Sequence, residues 1–180
     1  MNRRLILSAL IGLPAFPVFA GLEVGALAPE FTLQAVRAGN VYRFSLSEAL
    51  AEGPVVLYFF PAAFSEGCSI EAHTFAEAIE GFRSVGATVI GVSSDDIATL
   101  TNFSKQACQG KFPVASDLNQ SVIKNYDAVM QTRPEYATRV SFVIAQDRRI
   151  AYTYKNLEPT KHVERTLDAV RQLARTTAAK

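Results

Sequence analysis

The sequence predicts one α/β domain, a mixed β-sheet with helices on both faces. Three observations carry this. Val55-Val56-Leu57-Tyr58-Phe59-Phe60 is an unbroken apolar run rich in β-branched and aromatic residues, which suits a central strand buried on both sides. Similar runs alternate with segments whose apolar residues recur at helical spacing. A hairpin pattern and an amphipathic segment then close the chain, and strands interleaved with helices are the signature of a sheet with helices on both faces. The 180 residues, 49% of them hydrophobic and 19% charged, are enough for one filled core and too few for two ordinary domains. That apolar content excludes a disordered chain, and two cysteines exclude a disulfide-dense scaffold. A formal charge of +1 gives no footprint for nucleic acid.

Residues 1–20 stand apart from the fold. Arg3 and Arg4 precede an apolar run from Leu5 to Phe16, and Val18-Phe19-Ala20 ends on a small residue. This is the layout of a secretory signal peptide cut after Ala20, leaving a single domain over 21–180. The competing reading, a membrane anchor, is opposed by a run shorter than the roughly 20 residues a spanning helix needs. Pro14 and Pro17 also interrupt it. Export implies a compartment where disulfides persist, with a bacterial periplasm fitting best.

Within the domain, Phe31 to Leu33 and Val41 to Phe44 read as short strands of an N-terminal hairpin around Gly39-Asn40. Ser45 to Ala51 is a brief helix ending at Gly53-Pro54, and the 55–60 strand follows. The chain breaks at Pro61 and restarts near Ser65 as a helix with Ala72, Phe75, Ala76, Ile79 and Phe82 at helical spacing. Thr88 to Val92 is the next buried strand. Ser94 or Asp95 is placed to cap a helix running to about Gln109, before Gly110 and Pro113. A short strand around Val114 and a helix from Asp117 to Tyr126 come next. Val140 to Ile144 and Ile150 to Tyr154 form a hairpin across Asp147-Arg148, and Val163, Leu167, Val170 and Ala174 mark the last helix. The pattern is compatible with a thioredoxin-like fold without singling it out.

The informative stretch is Pro61 to Glu71. It leaves a buried strand and opens a helix, which puts Cys68 in the first helical turn. Backbone N–H groups there lack intrahelical acceptors and carry the positive end of the helix dipole, so a thiolate is favoured over a thiol. Ser65, three residues earlier, is placed as an N-cap and brings a hydroxyl near the sulfur. Position alone leaves two readings, an activated nucleophile or a small buried cysteine at a helix start.

Pro61-x-x-x-Ser65-x-x-Cys68 resembles the Pro-x-x-x-Thr/Ser-x-x-Cys signature of the peroxiredoxins, the cysteine-dependent peroxidases. Phe64, Gly67 and the Cys68 to Ala72 run are similar to the bacterioferritin-comigratory, or Q-type, branch. The likeness extends through the opening hairpin, Gly91 to Asp95, Phe112-Pro113 with Ser116-Asp117, and Arg139 to Ile144. The resemblance implies a thioredoxin-like fold and a peroxidase that needs no metal or organic cofactor. Its partners would be a peroxide and a thioredoxin-like or other dithiol reductant, and the chain would be a monomer or weak dimer. Cys68 matches the peroxidatic cysteine, whose thiolate is oxidised to a sulfenic acid. Ser65 matches the peroxide-binding hydroxyl, more often Thr in the family, and Pro61 the residue shielding the thiolate. Arg139 matches the arginine that holds the thiolate and polarises the peroxide, a task suited to a permanent charge on a planar fork. Taken without the family match, it reads as a surface ion pair. Glu71 matches the carboxylate that orients that arginine.

Cys108 is the second cysteine. In Q-type members the resolving cysteine often lies five residues after the peroxidatic one, where this chain has His73. Other members carry it in the helix after the next strand, where Cys108 falls, at the edge of the stripe made by Ile97, Leu100 and Phe103. An inert cysteine is the alternative. His73, on a polar helix face, and His162, near a helix start, read as surface residues. Two Cys and two His without paired spacing make no zinc site. A thiol–disulfide oxidoreductase would want Cys where Glu71 stands, and a copper-binding assembly protein a second cysteine within the turn after Cys68.

Overall fold

Strands β1 (Thr32–Arg37) and β2 (Asn40–Ser45) form the first hairpin of the computed structural model, which describes residues 22–178. The stretch read as a signal peptide lies outside the described residues. The hairpin turn is Ala38-Gly39, one residue earlier than expected. Both residues have positive φ, 51° and 84°, as the tight two-residue turn that matches strand twist requires. Helix α1 (Leu46–Glu52) follows, its first turn capped by the Ser45 hydroxyl, which accepts from the Glu48 N–H. Strand β3 (Val55–Phe59), helix α2 (Glu66–Arg83), strand β4 (Thr88–Ser93) and helix α3 (Ile97–Gln106) come next. The chain continues through β5 (Val114–Ser116), α4 (Ser121–Asn125), β6 (Val140–Ile144), β7 (Ile150–Lys155) and α5 (Pro159–Ala178).

One seven-stranded sheet runs in the order β2-β1-β5-β4-β3-β6-β7. Its centre is a parallel trio, β5-β4-β3, and antiparallel pairs extend it on both sides. Because side chains alternate along a strand, β3 feeds two cores. Val55, Leu57 and Phe59 pack with residues of α1 and α4, including Leu46, Leu50, Val122 and Ile123. Val56 and Tyr58, with Phe60 just beyond the strand, face the opposite layer, where α2, α3 and α5 supply Phe75, Ile79, Phe82, Leu100, Phe103, Val163 and Val170. Both cysteines lie in this second core.

Three expectations shift. Asp96, not Ser94 or Asp95, caps α3, accepting from the Thr99 N–H at 2.8 Å. Helix α4 starts at Ser121 rather than Asp117, because the Asp117 carboxylate accepts from the Ile123 N–H at 2.7 Å and so sits ahead of the helix instead of within it. Helix α3 stops at Gln106, short of Gln109, which has a left-handed φ of 51°. Among the described residues, no helix is long and apolar enough to cross a membrane.

Candidate active site

Cys68 is the third residue of α2, where an N–H has no acceptor one turn back. Ser65 stands at the N-cap position but does not cap. Its hydroxyl donates instead to the Ala62 carbonyl at 3.0 Å. The first N–H groups of the helix are thus left without a side-chain cap beside the sulfur. Cys68 itself is 1% exposed. Around it, Pro61, Ala62, Ala63 and Gly67 are half-buried and Phe64 and Ser65 exposed, so the thiol lies just beneath the surface.

The loop ahead of Cys68 is tied down from β4. The Asp95 carboxylate accepts from the Ala63 N–H and from the Ser93 hydroxyl, both at 2.8 Å. This explains why Asp95 does not cap α3. Phe64 takes a left-handed backbone conformation, φ 63°, and its ring meets Phe103 edge-on at 5.3 Å. A non-glycine residue held there stores strain, and such strain clusters at functional sites.

Arg139 stands immediately before β6 and, with Val143, faces the layer of the sheet that α2 covers. Its Nη2 donates to Cys68 Sγ at 3.4 Å, and its Nη1 donates to Glu71 Oε2. Glu71 is three residues after Cys68, on the same face of α2, and its side chain is fully buried while that of Arg139 is 8% exposed. Burial pushes the Glu71 carboxyl up, to about 8, against the opposing pull of the Arg139 guanidinium. Arg139 passes close to Gly67. A Cβ there would lie 3.0 Å from Nη2. The resulting unit gives the sulfur a charged donor and leaves further donors nearby for an oxygen, the arrangement needed when a thiolate attacks and negative charge develops on a leaving oxygen.

The sites predicted from sequence therefore fall in two places. Cys68, Glu71 and Arg139 come together, with Ser65 at the N-cap position of the same helix and Pro61 in the loop before it. Cys108 does not join them: it is a free, fully buried thiol in the turn after α3. Burial pushes that thiol up, away from the thiolate form. His73 is exposed, as read from the wheel, and bonds Gln109 at 2.9 Å. His162 corrects the expectation. It is fully buried, because α5 turns its first face onto the sheet.

Sequence reasoning gave no role to Asp95 beyond a cap, none to Gly67 beyond a flank, and none to Tyr58, whose buried hydroxyl has no partner among the described residues. His162 did leave a signal. With Val163, Thr166, Leu167 and Val170 it forms one stripe of α5, so two polar residues interrupt an apolar face.

Comparison with known proteins agrees with this geometry. The AhpC/TSA family profile matches residues 24–153. Peroxiredoxin Q of Arabidopsis thaliana, a chloroplastic protein, is 34% identical over 83% of this chain and 68% of its own length. The Suaeda salsa counterpart is 31% identical over 87% of this chain and 71% of its own. Among solved structures, peroxidoxin BcpB from Mycobacterium tuberculosis superposes with a TM-score of 0.76 at 26% identity, covering 84% of this chain and 97% of that one. The fold is thus the thioredoxin-like one of the peroxiredoxins, which are thiol-dependent peroxidases. The chain belongs to the AhpC/TSA family, and its Q-type relatives share most of its length.

Proposed function

We propose that this thiol peroxidase reduces hydrogen peroxide and organic hydroperoxides at Cys68. The observation that carries the assignment is the buried Arg139 guanidinium, which donates to Cys68 Sγ and to Glu71 at once. The thiolate attacks one peroxide oxygen, the O–O bond breaks, and Cys68 becomes a sulfenic acid. The other oxygen leaves as hydroxide or alkoxide and takes a proton to become water or alcohol. Arg139 and the free N–H groups at the start of α2 stabilise the charge passing between sulfur and oxygen. Ser65 offers a hydroxyl to the bound peroxide, and Pro61 closes one side without adding a donor.

Cys108 then attacks the sulfenic sulfur, forming a disulfide and expelling hydroxide, which is protonated to water. A thioredoxin-like or other dithiol reductant restores both thiols and is itself oxidised to a disulfide. Since Cys108 is buried and its thiol is pushed up, resolution requires the turn after α3 to open and expose it. Residues 1–20 direct export to a periplasm and are removed, the protein then working without a membrane anchor as one domain, a monomer or weak dimer.

Peroxide consumption by the reduced protein, with Cys68→Ser as control, tests the assignment. Wild-type turnover and an inert Cys68→Ser variant are expected. Equal consumption by both would overturn the role of Cys68. Amino-terminal sequencing of protein from the host's extracytoplasmic fraction tests cleavage, with Gly21 expected first.

A further inference from the structure

We propose that Asp95 is a positioning residue of the peroxidase site: it holds the Ala62–Ala63 peptide so that the Ala62 carbonyl takes the Ser65 hydroxyl hydrogen, and Ser65 then meets the peroxide as an acceptor. This rests on the assignment of Cys68 and Ser65 above and adds Asp95 to it.

The two ends of one peptide unit carry the argument. Asp95 Oδ2 accepts from the Ala63 N–H at 2.8 Å. The carbonyl of that same peptide, on Ala62, accepts from the Ser65 hydroxyl at 3.0 Å and from the Ser65 N–H at 3.4 Å. A peptide is planar and trans, so its N–H and C=O point in opposite directions. Fixing the N–H toward Asp95 therefore fixes where the carbonyl points. A carbonyl only accepts and a hydroxyl has a single hydrogen, so the Ser65 hydrogen is committed there. What Ser65 Oγ keeps for a ligand is its lone pairs, and a hydroperoxide brings an O–H to donate. Hydrogen bonds in such a chain polarise one another, so the carboxylate at one end strengthens the carbonyl as an acceptor at the other.

Asp95 is itself anchored. Its Oδ2 also accepts from the Ser93 hydroxyl at 2.8 Å, and Ser93 is fully buried at the end of β4. The Asp95 carbonyl accepts from the Ser116 hydroxyl of β5 at 2.7 Å. Two strands of the parallel trio thus fix the carboxylate, and the segment it holds is the loop leaving the third, β3. Phe64, the residue after Ala63, has a left-handed backbone at φ 63°. Such a conformation persists only where its surroundings over-determine it. The Asp95 bond on one side and the Phe103 ring, 5.3 Å from that of Phe64, on the other supply that constraint. Removing the bond releases the segment between Pro61 and Ser65.

The test is a cycle of Asp95→Ala and Ser65→Ala in a Cys108→Ser background. It reads the second-order rate of Cys68 oxidation by hydrogen peroxide, beside the rate of Cys68 alkylation by iodoacetamide, which needs the thiolate but no acceptor for a peroxide. Asp95→Ala is expected to slow the peroxide step on the order of tenfold without slowing alkylation. In the Ser65→Ala background the same change should cost less than about twofold, because residues acting through one interaction do not add. Asp95→Asn keeps an acceptor oxygen and should hold the rate within about threefold of the parent. Equal slowing by Asp95→Ala in both backgrounds, or alkylation that slows in step with the peroxide reaction, marks a merely structural role and overturns the proposal. So does a parental peroxide rate in Asp95→Ala, which leaves the peroxidase assignment standing. If the parent itself is inert, that assignment fails and the proposal with it. Should Asp95→Ala not fold, Asp95→Glu, which moves the carboxylate by one methylene, takes its place in the cycle, with the same coupling to Ser65 expected and additive or absent effects overturning the proposal.

Discussion

Replacing Arg139 by Lys keeps one positive charge and removes the fork that reaches two partners. Arg139 uses Nη1 for Glu71 and Nη2 for Cys68, and both partners are buried. A single ammonium at the end of a flexible stem can satisfy only one of them. It will stay with Glu71, which has no other hydrogen-bond donor among the described residues and lies on the same buried side. The fold then loses little, about 1–2 kcal/mol for a less well-placed charged hydrogen bond, against the roughly 3–5 kcal/mol expected when a buried pair loses one member outright. The sulfur loses its charged donor, and removing one donor from a developing charge typically costs about 100- to 1,000-fold in rate. The chain has no Trp, so intrinsic indole fluorescence cannot follow the reaction. Residual peroxide or free thiol in quenched single turnovers, in a Cys108→Ser background, reads Cys68 alone. The expected result is a peroxide step slower by about 100-fold with a cooperative melt only slightly lowered. A rate within threefold of the parent would refute the bridging role and leave Arg139 as a structural charge.

Four further outcomes follow from the same geometry. Gly67→Ala should preserve or raise stability, since Ala is favoured over Gly within a helix. The added Cβ, 3.0 Å from Nη2, should still lower the peroxide rate, and an unchanged rate would show that Arg139 relaxes freely. Tyr58→Phe should raise the urea midpoint, because it removes a buried hydroxyl without a partner, worth about 1 kcal/mol; a lower midpoint would reveal a partner. Peroxide-treated protein should show a Cys68–Cys108 link on non-reducing digestion, and its absence, with Cys108→Ser cycling normally on a dithiol, would make Cys108 a bystander. Because the folded carboxyl of Glu71 is raised to about 8, the native state holds more protons than the unfolded chain from pH 4.5 upward, so its contribution to stability is lost as pH rises through 8. Between pH 4.5 and 6.5 this loss is opposed by His162, whose lowered value makes the fold gain stability as pH rises. Between pH 6.5 and about 8 the melting temperature should therefore fall with pH, and Glu71→Gln should flatten that fall. An unchanged slope would mean Arg139 keeps Glu71 ionised throughout.

What the sequence revealed follows from which interactions are local. The strand at 55–60, the helix after it and the hairpin at 140–154 each write their period into neighbouring residues, and all three stand where expected. Cys68 was legible from the strand-to-helix break, but the helical wheel set Glu71 apart from the apolar residues with Glu77 and Glu80, and only the family likeness gave it a role; it is fully buried. Arg139 was not legible from local pattern. It meets Cys68 from 71 residues away in sequence, and only the family likeness pointed to it. Helix ends were read less well, since side-chain competition set them: Asp95 was claimed by the Ala63 N–H and Asp117 by the Ile123 N–H.

His162 was misread for a more instructive reason. A histidine near a helix start is ordinarily solvated, and its polarity weighs against burial. Here the polar partners that make burial tolerable, the Ser141 hydroxyl and the Asn156 carbonyl, arrive from β6 and the loop after β7. Neither is visible in the helix's own sequence. Ser141 carried the complementary hint, a polar residue inside the all-buried strand Val140 to Ile144. A buried polar residue on one element needs a partner on another, so the interrupted stripe of α5 and the interrupted strand β6 together foretell a contact that neither foretells alone. That contact ends at Glu71 Oε1, which ties the last helix of the chain to the carboxyl behind Cys68.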